Sequence, residues 1–217
     1  ENLKDLVSAY TYLTGRTPLP QRWTLGYQQS RWSYESADEV MDVAEHFRSL
    51  DIPCDAIHLD IDYMDGYRVF TWNNEEYGQP GELTAQLKEK GFKTVTIIDP
   101  GTKVDDSYFM CREGEKNHYF ATDPEGKTYV NEVWPGDANY PDFGRKEVRD
   151  WWGSHHKFLV DAGVDGIWND MNEPASFRGE LPADVVFHDE DRKTSHAEMH
   201  NVYGHYMSRA TFEGLQK

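Results

Sequence analysis

Residues 163–174, with the sequence GVDGIWNDMNEP, decide the fold that this chain is predicted to adopt. The stretch opens with a mostly apolar run after a glycine and then breaks into polar residues, which is typical of a buried strand in a parallel sheet. Because side chains alternate along a strand, Trp168 and Asp170 are predicted to share one face. Ile167 and Met171 are predicted to share the opposite face. An aromatic ring and a carboxylate would then point the same way at the mouth of a sheet.

The same strand signal occurs three times earlier in the chain, each time followed by a helical pattern. The predicted strands are residues 23–27, 56–62, 94–98 and 164–168, and helices are predicted over residues 3–13 and from about Ser36, Leu83 and Val148. Repeated β-α units require parallel strands joined by right-handed helical crossovers. After the third strand, residues 102–143 form a long insertion, in which a hairpin is predicted around the turn at residues 123–126.

The strand ends distinguish between two parallel-sheet folds. A doubly wound nucleotide-binding sheet would have a glycine-rich phosphate loop after its first strand, and this chain has none there. Barrel enzymes instead place catalytic residues at the C-terminal ends of several strands. Three successive strands here end in acids, namely Asp60 and Asp62, Asp99, and Asp170 with Glu173. The predicted fold class is therefore α/β, with residues 1–217 forming one domain of about four β/α units, the first half of a (β/α)₈ TIM barrel.

The amino-acid composition indicates which kinds of ligand or macromolecule this chain could bind. A net charge of −17 argues against nucleic acid or an anionic membrane as partner. Aromatic residues make up 14% of the chain, and aromatic faces beside carboxylates suit a polyhydroxylated ligand such as a sugar. No apolar run is long enough to cross a membrane, and no signal peptide is visible. Cys54 and Cys111 are read as free thiols, so we expect a cytoplasmic location.

Converging carboxylates support two chemistries, and the residues alone leave both open. One is glycoside hydrolysis by a pair of carboxyl groups, and the other is a divalent-metal site of the kind used by metal-dependent lyases. Each acid could also merely cap a turn. His58 lies within a strand and is expected to pack or to face a helix. His196 and His200 have the spacing of zinc ligands, but the glutamate at position 198 does not fit the metalloprotease pattern. We expect no metal and no cofactor.

Specific motifs identify a family. Residues 168–173, WNDMNE, resemble the nucleophile signature of glycoside hydrolase family 31, the α-glucosidases and their relatives. Further stretches in the same order resemble other landmarks of that family's barrel: YLTGRTPLP (12–20), WTLGYQQSRW (23–32), HLDIDYMD (58–65), FTW (70–72), IDPG (98–101) and WPG (134–136). The resemblance therefore covers nearly the whole chain, and it implies a retaining α-glycosidase.

The resemblance also implies a role for individual residues. Asp170 would be the nucleophile that forms a covalent glycosyl-enzyme, with Glu173 as a supporting carboxylate nearby. Asp60, with Ile61 beside it, would bind the hydroxyl groups of the terminal sugar. The walls of the subsite that holds this sugar would be formed by Ile98, Trp134, Trp168 and Met171.

Two parts of the family pattern are not found within these 217 residues. The family's general acid/base lies in the second half of the barrel, and a β-sandwich precedes the barrel. We therefore expect the C-terminal half of the same barrel as a partner, and no activity from this chain alone. The sequence of residues 58–65 is similar to the corresponding stretch of α-glucosidases rather than to that of α-xylosidases. This similarity favours an α-glucoside or oligosaccharide substrate. The alternatives are an α-xylosidase, an α-transglucosidase, or a non-catalytic carbohydrate-binding or regulatory subunit.

Overall fold

The computed structural model describes residues 2–217, which form seven helices and nine short strands. In chain order these are α1 (Leu3–Thr14), β1 (Gln28–Gln29), α2 (Ala37–Ser49), β2 (Ala56–Leu59), α3 (Asn74–Tyr77), α4 (Glu82–Glu89), β3 (Lys93–Ile98), β4 (Thr102–Lys103), α5 (Phe109–Asn117), β5 (Val130–Val133), β6 (Gly136–Asn139), α6 (Lys146–Asp161), β7 (Gly166–Asn169), β8 (Val186–Asp189), β9 (Arg192–Ser195) and α7 (His196–Leu215).

The central sheet contains four strands in the order β1-β2-β3-β7, and all three pairings are parallel. Each strand is followed by a helical crossover to the next, so sequence order and spatial order agree, as in a barrel rather than a doubly wound sheet. The predicted fold class, half of a (β/α)₈ barrel, is confirmed. None of the helices in residues 2–217 is both long enough and apolar enough to cross a membrane.

The predicted helices are present, but the first strand lies later than predicted. Ser36 caps α2 as the sequence indicates, because its Oγ accepts a hydrogen bond from the Glu39 N–H at 3.2 Å. Residues 23–25, predicted as strand, belong to a 3₁₀ turn, and only Gln28–Gln29 pairs with β2. Hydrophobic periodicity could not locate this strand, since its two residues are glutamines.

The insertion after β3 contains the predicted turn at residues 123–126 as a short hairpin. Thr122 and Thr128 form an antiparallel bridge, and the Asp123 N–H donates to the Lys127 carbonyl at 2.8 Å. Thr122 also bridges to Val186, so the hairpin is joined to another part of the chain. The regular hairpin is β5–β6, which turns at Trp134 and Pro135, and β4 extends it to three antiparallel strands. Helix α5 was not predicted.

The two faces of the central sheet have different surroundings. On the outer face, Ile57, Leu59 and Ile98 are at most 1% exposed and belong to the hydrophobic core that the helices cover. In the helical layer, α6 and α7 approach closely at two glycines: a Cβ on Gly153 would lie 2.9 Å from the Cα of Gly214. The outer face therefore carries the core of the domain, and the inner face remains for chemistry.

Candidate active site

Polar and aromatic side chains line the inner face of the sheet. A hydrogen bond of 2.7 Å joins Nε2 of His58 on β2 to Oε1 of Gln28 on β1. The His58 ring also lies 6.1 Å from the ring of Trp168 on β7, in an edge-on arrangement. Of the two alternatives expected for His58, packing is the one observed. The ring does not face a helix, because the alternation that buries Ile57 and Leu59 on the outer face turns His58 inward. Burial lowers the pKa of His58.

Two of the strand-end acids occupy adjacent positions on this inner face. Ile97 of β3 pairs with Trp168 of β7, and the Asp170 N–H donates to the Ile98 carbonyl at 3.2 Å, so the pairing continues past the end of β7. Asp99 and Asp170 each come two residues after that inward-facing pair. Because neighbouring strands lie about 4.8 Å apart, this register gives Asp99 and Asp170 adjacent positions on one face.

Asp60 supplies a third carboxyl group from β2. Its Oδ1 accepts a hydrogen bond of 2.8 Å from the Ile61 N–H and so caps a 3₁₀ turn that begins there. Burial raises the pKa of Asp60, and the negative charges of Asp170 and Asp62 act in the same direction. Asp60 therefore has a structural contact and also faces the acid predicted as nucleophile.

Asp99 is the most deeply buried of the three acids, with 8% of its surface exposed. Burial raises its pKa to about 7, and the charges of Asp170, Asp60 and Glu173 contribute to the same shift. In the sequence, Asp99 stands out as a strand-end acid, but no role follows from that position alone. Its burial and its register against β7 are properties of the folded chain.

Asp60 and Asp170 open into a cavity of about 440 Å³ with aromatic walls. Its lining consists of Ser30, Arg31, Trp32, Asp60, Ile97, Trp134, Trp168, Asp170 and Met171. The rings of Trp32 and Trp134 lie 6.0 Å apart, and Phe177 packs edge-on against Trp134 at 5.0 Å. Aromatic faces can stack on the C–H faces of a sugar while carboxylates accept hydrogen bonds from its hydroxyl groups. The cavity therefore has the chemistry of a sugar subsite.

Five of the predicted site residues meet at this cavity, and one of them arrives by an unexpected route. Asp60, Trp134, Trp168, Asp170 and Met171 all line it. Strict alternation places Met171 on the face opposite Asp170, and that prediction is wrong. Met171 has φ +54°, so the chain leaves the extended conformation there and turns its side chain to the same side.

The two isoleucines predicted to contact the sugar do not line the cavity. Ile98 is fully buried on the outer face, and Ile61 is 4% exposed within the hydrophobic core. The neighbouring Ile97 takes the place expected for Ile98, because Ile97 shares the inner face with Val95. Counting the alternation of side chains back from Asp99 puts Ile97, and not Ile98, on the inner face.

Glu173 lies apart from the aromatic cavity. It is exposed and lines a second cleft of about 860 Å³ together with Pro174, Phe177, His196 and His200. Its charge still contributes to the raised pKa of Asp99. The structure thus places Glu173 close to the acids but outside the cavity into which Asp170 opens.

The insertion holds the loop that follows Asp170. The Phe177 N–H donates to the Glu132 carbonyl at 2.7 Å, and the Tyr140 hydroxyl donates to the Ala175 carbonyl at 2.8 Å. Arg178 forms ion pairs of 2.7 Å with both Glu132 and Asp137. The insertion therefore contributes Trp134 to the cavity and also positions the chain that comes after the strand-end acid.

The histidine pair does not form a recognisable metal centre. His200 Nδ1 lies 3.2 Å from His196 Nε2, so the two rings contact each other. Within residues 2–217, no group of three or more His, Cys, Asp or Glu side chains is arranged to hold a metal ion. Over the same residues Cys54 and Cys111 are buried free thiols.

A parallel barrel sheet with acids at its C-terminal strand ends and tryptophans around them defines the class as a barrel domain of the glycoside hydrolases. Comparison with known proteins gives the family. A family model described as "Glycosyl hydrolases family 31 TIM-barrel domain" matches residues 17–217. The chain belongs to glycosyl hydrolase family 31.

Several similar proteins are named as glucosidases, and they are much longer than this chain. "Alpha-glucosidase 2" of Bacillus thermoamyloliquefaciens is 50% identical over 99% of this chain, which spans 27% of that protein. A crystal structure of the glucosidase II alpha subunit superposes with a TM-score of 0.91 at 33% identity, over 99% of this chain and 24% of that chain. The family 31 α-glucosidase of Bacteroides thetaiotaomicron superposes with a TM-score of 0.80 at 40% identity. The match covers 97% of this chain and 34% of that chain. The chain thus spans about a quarter to a third of the length of these relatives.

Proposed function

We propose that the protein containing this barrel segment is a retaining α-glucosidase that releases terminal glucose from α-glucosides, with Asp170 as its nucleophile. One observation carries the proposal: Asp170 opens, beside Asp60, into a cavity walled by Trp32, Trp134 and Trp168. The α-glucosidases among the relatives support the choice of sugar and anomer. The resemblance of residues 168–173 to the family's nucleophile signature supports the role of Asp170.

In the proposed reaction, an Asp170 carboxylate oxygen attacks the anomeric carbon as the bond to the leaving oxygen breaks. The leaving oxygen takes a proton from a general acid, and the sugar remains bound to Asp170 as an ester. Water then attacks the same carbon, loses a proton to the same group, now a base, and frees Asp170. Two inversions at one carbon give net retention.

The general acid is assigned to a part of the barrel beyond these four strands. Asp99 stands beside Asp170 but is almost fully buried and does not line the cavity, so it has no access to a leaving oxygen. Asp60 lines the same cavity as Asp170, which supports a role for Asp60 as an acceptor of hydrogen bonds from sugar hydroxyl groups. A retaining enzyme needs its acid about 5 Å from the nucleophile and facing the scissile bond.

We also propose that further barrel strands cover the inner face. Support comes from His58 and Trp168, which are partly exposed, and from β1 and β7, which form the two edges of the sheet. Unpaired strand edges readily pair with other strands, and a barrel removes them by closure. The C-terminal half of the same barrel is the partner that this arrangement fits.

The test uses the complete enzyme with an aryl α-glucoside and proton NMR to follow the anomer first released. We expect hydrolysis with α-glucose as the first product, and no turnover of the matched aryl β-glucoside. The aryl α-xyloside, which lacks the hydroxymethyl group, is expected to react more slowly. Release of β-glucose would exclude a retaining nucleophile. Binding of glucose without any turnover would instead support a carbohydrate-binding subunit.

A further inference from the structure

Asp99 occupies a position that the proposed reaction does not use directly. It stands beside Asp170 on the same wall of the sheet, at the level set by the Ile97–Trp168 pair. Adjacent strands are about 4.8 Å apart, which brings side chains on one face within hydrogen-bonding reach of each other. Asp99 is 8% exposed and is therefore enclosed behind the cavity wall rather than open to solvent.

Asp99 has an unpaired oxygen and lies near other acids. Its Oδ1 is buried without a partner among residues 2–217. The charged groups that act on it are Asp170 and Glu173 from β7 and the loop after it and Asp60 from the end of β2, and all three are acids. Tyr63 approaches from the 3₁₀ turn, but its hydroxyl already donates to the Ile97 carbonyl at 2.7 Å. A carboxylate buried among acids is strongly disfavoured, so this group is stable in its protonated form.

Asp99 is the more buried of the two neighbouring acids. Asp170 lines the cavity, whereas Asp99 is enclosed. Burial, together with the charges of Asp170, Asp60 and Glu173, raises the pKa of Asp99 to about 7. A neutral acid next to an anion can donate one strong hydrogen bond to it.

We propose that Asp99 is a positioning residue for Asp170: its neutral carboxyl group donates a hydrogen bond to the Asp170 carboxylate and fixes the orientation of the attacking oxygen. This inference rests on the proposed function of Asp170. No bond is made or broken at Asp99 during turnover, and its proton stays on it throughout the cycle. Above its pKa, Asp99 loses that proton, the hydrogen bond disappears, and a second negative charge stands beside the nucleophile.

The test compares two substitutions of Asp99 in the complete enzyme. Asp99→Asn keeps the shape and an N–H donor at every pH, while Asp99→Ala removes the donor. We expect D99A to lower kcat about 10- to 100-fold, with KM changed less than about threefold, because a hydrogen bond to a charged group is lost. We expect D99N to keep kcat within about threefold at acidic pH and to move the alkaline limb of kcat to higher pH.

A matched control is Asp165→Asn, at the opposite end of β7. Asp165 forms an ion pair of 2.6 Å with Lys93 and lies away from the cavity. We expect D165N to leave the pH profile of kcat unchanged. The proposal is overturned if D99N and D99A have equally low kcat, or if the alkaline limb of D99N coincides with that of the wild type.

If the variants do not fold, neutron diffraction of the wild-type enzyme still tests whether Asp99 carries a proton. Below pD 7, the expected result is a deuteron on Asp99 directed at Asp170. An Asp99 without a deuteron at that pD would overturn the proposal. Failure of the proposed function itself looks different: a wild-type enzyme that does not hydrolyse α-glucosides would refute the role of Asp170 before any Asp99 variant is made.

Discussion

The two faces of the central sheet are built from alternate residues of the same strands, yet they differ in burial and in composition. On β2, Ile57 and Leu59 are covered by helices and are at most 1% exposed, whereas His58 and Asp60 on the other face are only half-buried. The outer face gains free energy from apolar burial. The inner face gathers acids and aromatic rings that share a cavity. Substitutions on the two faces should therefore affect different quantities.

The largest expected effect is on the inner face. Asp170→Asn in the complete enzyme should lower kcat by about 10⁴-fold or more, because a neutral amide cannot attack the anomeric carbon. The thermal midpoint should change little, since the amide has nearly the same volume and Asp170 is not in the core. Steady-state kinetics with an aryl α-glucoside and a melting curve measure both. A D170N turnover close to that of the wild type would contradict the proposed mechanism.

The second effect concerns pH and stability at the boundary of the two faces. Asp99 has a pKa of about 7 in the folded chain against 3.8 for an ordinary Asp. The folded state therefore holds a proton that the unfolded state has lost, so stability falls as pH rises from about 4 to about 7. Asp99→Asn removes this penalty. Relative to wild type, D99N should gain up to roughly 4 kcal/mol of unfolding free energy between pH 4 and pH 8.

Denaturant unfolding of both proteins at the two pH values measures that gain. An equal pH dependence in D99N and wild type would show that Asp99 does not titrate with a raised pKa. Such a result would also remove the reason for placing a neutral acid beside Asp170.

The third effect is on the outer face alone. Leu59→Ala should lower the unfolding free energy by about 3 kcal/mol, through lost burial and the cavity left behind. Leu59 is 1% exposed and belongs to the core cluster. The kcat of the fraction that remains folded should stay near the wild-type value. A large loss of kcat with unchanged stability would contradict the separation between the faces.

The smallest effect comes from the next residue on β2. Asp60→Ala should reduce kcat/KM for a glucoside by an amount equivalent to about 2 kcal/mol, because a charged acceptor for sugar hydroxyl groups is lost. Stability should change less than in L59A, since Asp60 faces the cavity. These adjacent substitutions form a matched pair, and an unchanged kcat/KM in D60A would remove Asp60 from the substrate site.

Much of this architecture could be predicted from sequence because strands 2, 3 and 7 are apolar runs that end in acids. The half-barrel and the cluster of Asp60, Asp99 and Asp170 follow from that pattern alone. The first strand could not be predicted, because two glutamines carry no hydrophobic signal. The family resemblance supplied Trp134, which lies in an insertion far from the strands in sequence.

The remaining errors come from local backbone conformation. Alternation predicted the wrong side for Met171, since its positive φ ends the strand there. For β3, the same alternation counted from Asp99 would have placed Ile97 rather than Ile98 on the inner face. Glu173, only three residues after Asp170, lies in a different cleft because the chain turns between them. Nearness in the sequence therefore did not predict which residues line the same cavity.

The covalent bond to Asp170 is the central claim, and trapping it tests that claim most directly. The complete enzyme is treated with a mechanism-based fluoro-glucoside, which forms the ester but hydrolyses slowly, and the labelled peptide is fragmented by mass spectrometry. The expected result is one sugar per active site, attached to Asp170. A label on Glu173, or on any residue other than Asp170, would contradict the account.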